Sequence, residues 1–243
     1  MERVRYERQG AVGVVTLDDG KANAIQDEFL AGLGAALDRA QADDEVGALL
    51  VAGRPGCFSG GLDLKTLPAL PRAALRATCR RFGEGMLRLA AFPKPVVAAV
   101  SGHALAGGCV LLLCCDFRLG AAGPFRIGLN EVAIALPLPT FVIELARDAL
   151  APAALHEALL TGRAYDPEAA VRAGYLHEVH AAEALFDRAL ERAQALASLP
   201  GAAFAETKRR VKAEALRRGA ATNEAELGAF FAGPFAAAGG GAD

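Results

Sequence analysis

Val46-Gly47-Ala48-Leu49-Leu50-Val51 leads into Cys57-Phe58-Ser59-Gly60-Gly61-Leu62-Asp63-Leu64-Lys65. Further on, Val96-Val97-Ala98-Ala99-Val100 leads into Ser101-Gly102-His103-Ala104-Leu105-Ala106-Gly107-Gly108-Cys109. Both pairs are built alike: an apolar run that reads as a buried strand, then a glycine-rich turn. Each turn strips side chains from the backbone where the chain leaves a sheet. Two such turns side by side can aim two backbone N–H groups at one oxygen, the arrangement that stabilises an enolate or oxyanion. Leu62 follows Gly60-Gly61 and Gly107 precedes Gly108, so both amides have little bulk beside them. Taken singly, each segment reads equally well as an ordinary tight turn. Neither is a phosphate loop, because both G-K-[ST] and G-x-G-x-x-G are missing.

Working outward, residues 2–8 and 11–17 alternate apolar and polar positions around Gln9-Gly10, a hairpin pattern. From Asp27 to Ala40, Phe29, Leu30, Leu33 and Leu37 share one helical face. Pro71 opens a second helix carrying Leu75, Cys79, Phe82, Met86 and Leu89, closed by Pro93 and Pro95. Strand 96–100, an apolar helix from about Gly108 and a strand over Asp116–Gly120 follow. This alternation predicts an α/β layered core. The last third is alanine-rich and helical over 138–150, 152–161, 167–173, 182–198, 201–217 and 223–232, with one strand-like piece at 175–180. The expected organisation is a core over 1–190, a helical region over 191–235 and a disordered tail over 236–243.

The chain has 243 residues, 53% hydrophobic and 22% charged, with a formal net charge of −2. That is enough for one large core, and the near-neutral charge gives no pull toward nucleic acid or an anionic membrane. The longest run without a polar residue, Ala104–Cys115, is too short for a span of roughly 20 residues. The N-terminus carries no apolar stretch of signal-peptide type. Five cysteines is an odd count, and Cys109, Cys114 and Cys115 read as buried thiols, so a reducing cytoplasmic compartment is expected.

A candidate acid–base group lies in Phe125-Arg126-Ile127-Gly128-Leu129-Asn130-Glu131-Val132. A carboxylate among apolar neighbours has a raised pKa, which suits a proton shuttle, whereas a solvated loop glutamate is the bland alternative. His177 and His180 do not form H-E-x-x-H and read as a surface strand end, so no metal site is expected. Lys208, Arg209, Arg210, Lys212, Arg217 and Arg218 read as a solvated basic helix face, His103 as structural and Asp63 as a turn-stabilising carboxylate.

In wording and spacing these segments resemble the crotonase (enoyl-CoA hydratase/isomerase) superfamily, over roughly residues 5 to 230. The resemblance implies a crotonase-like spiral of ββα units with a C-terminal helical oligomerisation region, assembled as a homotrimer or homohexamer. Its F-x-x-G-x-D-[IL] segment, matched by Phe58 to Leu64, makes Leu62 the first oxyanion donor, and its G-x-A-x-G-G-[GC] segment makes Gly107 the second. Hydratases of the superfamily use two glutamates. One matches Glu131; the other position holds Val110. Hydration must activate water and deliver a proton, and valine does neither, whereas a double-bond shift needs one carboxylate. Asn130, where hydratases tend to have proline, and Ile134–Thr140, in place of a glycine-rich loop, also resemble the Δ3,Δ2-enoyl-CoA isomerases.

By the same resemblance the CoA of an acyl-CoA thioester runs past Lys21, Ala22 and Ala24, then past Ser59, Gly60, Gly61, Asp63 and Leu64, while Asn130 touches the acyl chain. No cofactor is implied, CoA being part of the substrate, and neither nucleic acid nor membrane is an expected partner. The final helix looks shortened to a Gly/Ala tail, and the basic helix face is available to CoA phosphates or a neighbouring subunit. A hydratase, or a weakly active acyl-CoA-binding member, is the alternative reading.

Overall fold

Strands β1 (Val4–Gln9) and β2 (Val12–Leu17) form the expected hairpin, turning at Gly10 with φ +61°. They open a six-stranded sheet of order β1-β2-β3-β5-β7-β9, in which every pair after the hairpin is parallel. Its other members are β3 (Ala48–Gly53), β5 (Val96–Val100), β7 (Phe117–Ala121) and β9 (Glu178–His180). A second, three-stranded parallel sheet runs β4 (Gly56–Ser59), β6 (Gly102–Leu105) and β8 (Ile127–Gly128). These facts come from a computed structural model that describes residues 3–230.

The two sheets are threaded together by the chain order. β3, β5 and β7 each hand over to β4, β6 and β8, and helices α2 (Arg72–Ala90) and α3 (Gly107–Leu113) return the chain to the large sheet. Repetition of this strand–strand–helix step produces the spiral implied by the crotonase resemblance. Glycine makes the handovers possible. A Cβ on Gly53 would lie 2.6 Å from Phe58 Cα, and one on Gly102 only 1.9 Å from the Gly56 carbonyl carbon. The segments around Cys57 and His103 are thus strands as well as turns, a difference from the sequence reading. Four-residue strands carry too little alternation to separate them from a glycine-rich loop.

Side-chain alternation sorts the large sheet's two faces. Leu49, Val51, Val96, Ala98 and Val100 face α1 (Asp27–Ala42), α2 and α3 in the main core. Ala48, Leu50, Val97 and Ala99 face Leu185, Ala189 and Ala193 of helix α7 (Leu185–Ala197). Small residues on that second face let α7 lie close against the strands. The expected boundary between 190 and 191 falls inside α7.

Between β8 and β9 stand α4 (Thr140–Ala149), α5 (Leu155–Leu160) and α6 (Pro167–Ala173), capped by the Asp166 carboxylate and closed by Gly174 at φ +91°. One helix, α8 (Gly201–Phe230), replaces the two expected over 201–217 and 223–232, and it packs along α4 and α2. The tail over 236–243 lies outside the described residues.

The basic run on α8 divides: Arg209, Arg210, Arg217 and Arg218 form the expected solvated face, whereas Lys208 and Lys212 are buried. Lys208 Nζ, on a buried side chain, sits 2.6 Å from Asp116 Oδ2, and Lys212 Nζ is 2.8 Å from Asp148 Oδ2. Arg209 and Arg210 pair with Glu206, and Arg217 and Arg218 with Glu214, along the helix itself. No helix among the described residues is long and apolar enough to cross a membrane. All five cysteines are free thiols.

Candidate active site

The first expected donor is aimed by a short bridge. Ile25 N–H donates to Gly61 O at 2.8 Å and Asp63 N–H to Ile25 O at 3.3 Å, so the intervening Leu62 N–H points the other way. Gly61 holds φ +87°, a conformation that side-chain-bearing residues rarely adopt. A network behind it fixes the turn. Asp19 accepts from the amides of Lys21, Asn23 and Ala24, and Asn23 Nδ2 donates to Leu17 O and Phe58 O. Gly60 N–H donates to Ala22 O, and Ser59 Oγ donates to Asn23 O.

The second donor is the first residue of α3. First-turn amides have no acceptor within their own helix, and Ala106 at φ +47°, ψ −126° turns the chain so that Gly107 N–H faces Leu62. Neither amide has an acceptor among the described residues. A Cβ on Gly107 would lie 3.3 Å from Leu62 N, and one on Gly61 2.7 Å from Gly107 N, so both N–H groups serve one small patch. Gly108 permits this approach, since a Cβ there would meet Ser59 O at 2.0 Å.

The patch opens into a cavity of about 200 Å³. Gly60, Leu62, Leu64, Gly107, Asn130 and Glu131 line it together with Val110 and an apolar wall that includes Phe82, Ile134, Leu136, Phe141 and Val142. Glu131 is only 6% exposed and its Oε2 has no hydrogen-bond partner. Burial pushes its carboxyl up from the usual 4.5 to about 7, with its own backbone amide pulling weakly the other way. Asn130 Oδ1 is likewise buried without a partner. Val110, 1% exposed, puts a hydrocarbon surface in the cavity where a second carboxylate would stand in the two-glutamate pattern.

The remaining sequence-derived residues do not line this cavity. Lys21 is exposed and its carbonyl accepts from Arg54; Ala22, Ala24, Ser59 and Gly61 shape the donor turn from behind. Asp63 accepts from the amides of Lys65 and Thr66 and from Gln26, the turn-stabilising role expected of it. His177 Nδ1 accepts from Arg118 N–H, and burial followed by the nearby Arg118 charge pushes its pKa down to about 4. Among the described residues no cluster of metal-ligating side chains occurs.

Sequence reasoning missed the apolar wall of the cavity and its two polar residues on α8, Asn223 and Glu226. Glu226 accepts from Thr140 N–H at 2.6 Å and from Thr140 Oγ, capping α4, which has no other side-chain cap. The one signal available was the asparagine itself, a weak helix former inside an alanine-rich helix.

A two-sheet spiral holding two free amides and a buried carboxylate in an apolar cavity is the architecture of a crotonase-type enzyme. The enoyl-CoA hydratase/isomerase family profile matches residues 7–236, and the chain belongs to this family, within the crotonase superfamily. A probable enoyl-CoA hydratase of Rhizobium meliloti is 34% identical over 84% of this chain and 79% of its own length. The mitochondrial enoyl-CoA delta isomerase 1 of mouse is 31% identical over 73% of the chain, a match spanning 63% of that protein. Among solved structures, a Mycobacterium tuberculosis protein described both as an enoyl-CoA isomerase and as a probable enoyl-CoA hydratase superposes with a TM-score of 0.87 at 37% identity, covering 94% of this chain and 98% of that one.

Proposed function

We propose that the protein is an enoyl-CoA isomerase that moves a 3-enoyl double bond to the 2-position. The observation that carries this reading is the single unpaired carboxylate, Glu131, in a cavity that also presents two free amides and Val110. Glu131 takes a proton from C2, and the electron pair left there moves onto the thioester carbonyl, giving a dienolate conjugated with the C3=C4 double bond. The thioester oxygen accepts from Leu62 and Gly107 N–H, each donor worth roughly 3–4 kcal/mol of transition-state stabilisation. Glu131 returns the proton at C4 as the C2=C3 bond forms. One proton leaves and one arrives, so the step balances without an external oxidant or reductant. A carboxyl near pKa 7 both accepts and releases a proton readily at neutral pH.

CoA enters as part of the substrate, running along Lys21, Ala22, Ala24 and Ser59 to Leu64, and Asn130 meets the acyl chain. The working unit is a homotrimer or a dimer of trimers; Leu160 and Val211, about two-thirds exposed on a single chain, are apolar surface for such an assembly to cover. Sedimentation at micromolar concentration tests this, and a monomer would refute it.

Glu226 supports a second reading, hydration, because it brings another carboxylate to the cavity. Both its oxygens are engaged by Thr140, which favours the isomerase. A heavy-water experiment separates the two. The isomerase gives 2-enoyl-CoA in which some substrate hydrogen is retained at C4. A hydratase given 2-enoyl-CoA yields 3-hydroxyacyl-CoA with deuterium at C2, and predominance of that product would overturn the proposal.

A further inference from the structure

Asn223 is 8% exposed, lines the cavity, and has no hydrogen-bond partner among the described residues. Its position is prepared by the opposite helix. A Cβ on Gly83 would lie 2.3 Å from Asn223 Oδ1 and 2.6 Å from Nδ2, so α2 forgoes a side chain in its interior, at a cost in helix propensity, to admit this amide. Glu226, three residues on and therefore on the same face of α8, is fixed to Thr140, while Gly219 packs on Phe141.

The cavity wall formed by α2 and α4 is hydrocarbon. Phe82, beside Gly83, meets Phe141 edge-on at 6.0 Å, and its ring approaches within 3.2 Å of where a Cβ on Gly107 would stand. A saturated acyl chain filling this space would leave both ends of the amide dry and unpaired, a penalty that a ligand oxygen removes. Leu64, 41% exposed, lines the solvent-facing end of the cavity, whereas Asn223 lines it as a buried residue.

We infer that Asn223 is a specificity-determining residue that recognises a hydroxyl or carbonyl oxygen on the acyl group, beyond the carbons that react. The inference rests on the thioester reading given above. A site built to hydrogen-bond a substrate oxygen discriminates strongly against the analogue that lacks it.

Calorimetric binding of CoA, of hexanoyl- and octanoyl-CoA, and of their ω-hydroxy derivatives tests it without relying on turnover. Wild-type protein should bind at least one ω-hydroxyacyl-CoA about tenfold more tightly than its parent. Asn223→Leu should abolish or invert that preference and leave CoA itself unchanged. Equal affinity within both pairs in the wild type would overturn the inference, whether or not the variant folds. A uniform loss for CoA and every thioester in a folded variant would also overturn it, assigning the amide to the pantetheine arm. Failure of any thioester to bind would sink the thioester reading as well, so the two failures are distinguishable.

Discussion

Burial sets the behaviour of Glu131, and it does so in two measurable ways. With its carboxyl at about 7 rather than 4.5, Glu131, the proposed base, is ionised only as the pH approaches neutrality. kcat/KM should therefore rise to a plateau above pH about 7, and Glu131→Gln should lower turnover by about 10²–10⁴-fold with acyl-CoA affinity little changed. Stability moves in the opposite sense. Below pH 4.5 folded and unfolded chains both hold the proton; between 4.5 and 7 only the folded chain does, so stability falls as pH rises through that window. Urea melts across it should show wild type losing about 3 kcal/mol more than Glu131→Gln. Parallel melts would contradict a buried, unpaired carboxylate. Gly61 gives a second test at this scale. Gly61→Ala places a Cβ 2.7 Å from Gly107 N at a φ that alanine resists, and disturbing the donor pair should lower kcat about 100-fold or more with far-UV circular dichroism preserved.

At the scale of elements, α8 is attached to the core by charge as well as by packing. Lys208 and Asp116 are both nearly dry, and Asp116 also accepts from Val96 N–H. Lys208→Met leaves a buried carboxylate facing hydrocarbon and should cost about 3 kcal/mol or more. Adding Asp116→Asn, which keeps an acceptor for Val96, should recover most of that loss. A Tm indifferent to Lys208→Met would mean that the pair does not hold the helix.

The same element shows where sequence reading ends. Leu62, Gly107 and Glu131 were legible because the features that expose or bury them lie within a few residues. The hairpin, α1, α2 and strands β5 and β7 were legible because their periodicity is local. Lys208 and Lys212 read as solvated because their partners, Asp116 and Asp148, are remote in the chain and only folding brings them together. Asn223 and Glu226 escaped for the same reason: α8 lies across α2 and α4, and no spacing within residues 201–230 records that. The small sheet was unreadable because β4, β6 and β8 are too short to show a period.

Seen whole, the molecule builds its cavity from the Leu62 turn, α2, α3, α4 and α8, elements drawn from nearly the full length of the described chain. A ligand seated there touches all of them and binds only the assembled state. A saturated acyl-CoA at about 100 times its Kd should add about 2.7 kcal/mol to stability and raise Tm by several degrees. Limited proteolysis of α8 should slow in step. An unchanged melting curve under those conditions would show that the cavity does not take the thioester.

Under the proposed function the oxyanion donors are amides of the main chain, and that has a consequence for how such a protein can drift. Random substitution edits side chains; at a given position only proline erases an N–H. A lineage carrying this scaffold can therefore exchange Val110, Asn130 or the residues of α8 and still activate a thioester carbonyl. What changes is the fate of the enolate once formed: which carbon receives a proton, or whether water does. New chemistry is then reachable one codon at a time, without an intermediate that has lost the ability to start the reaction.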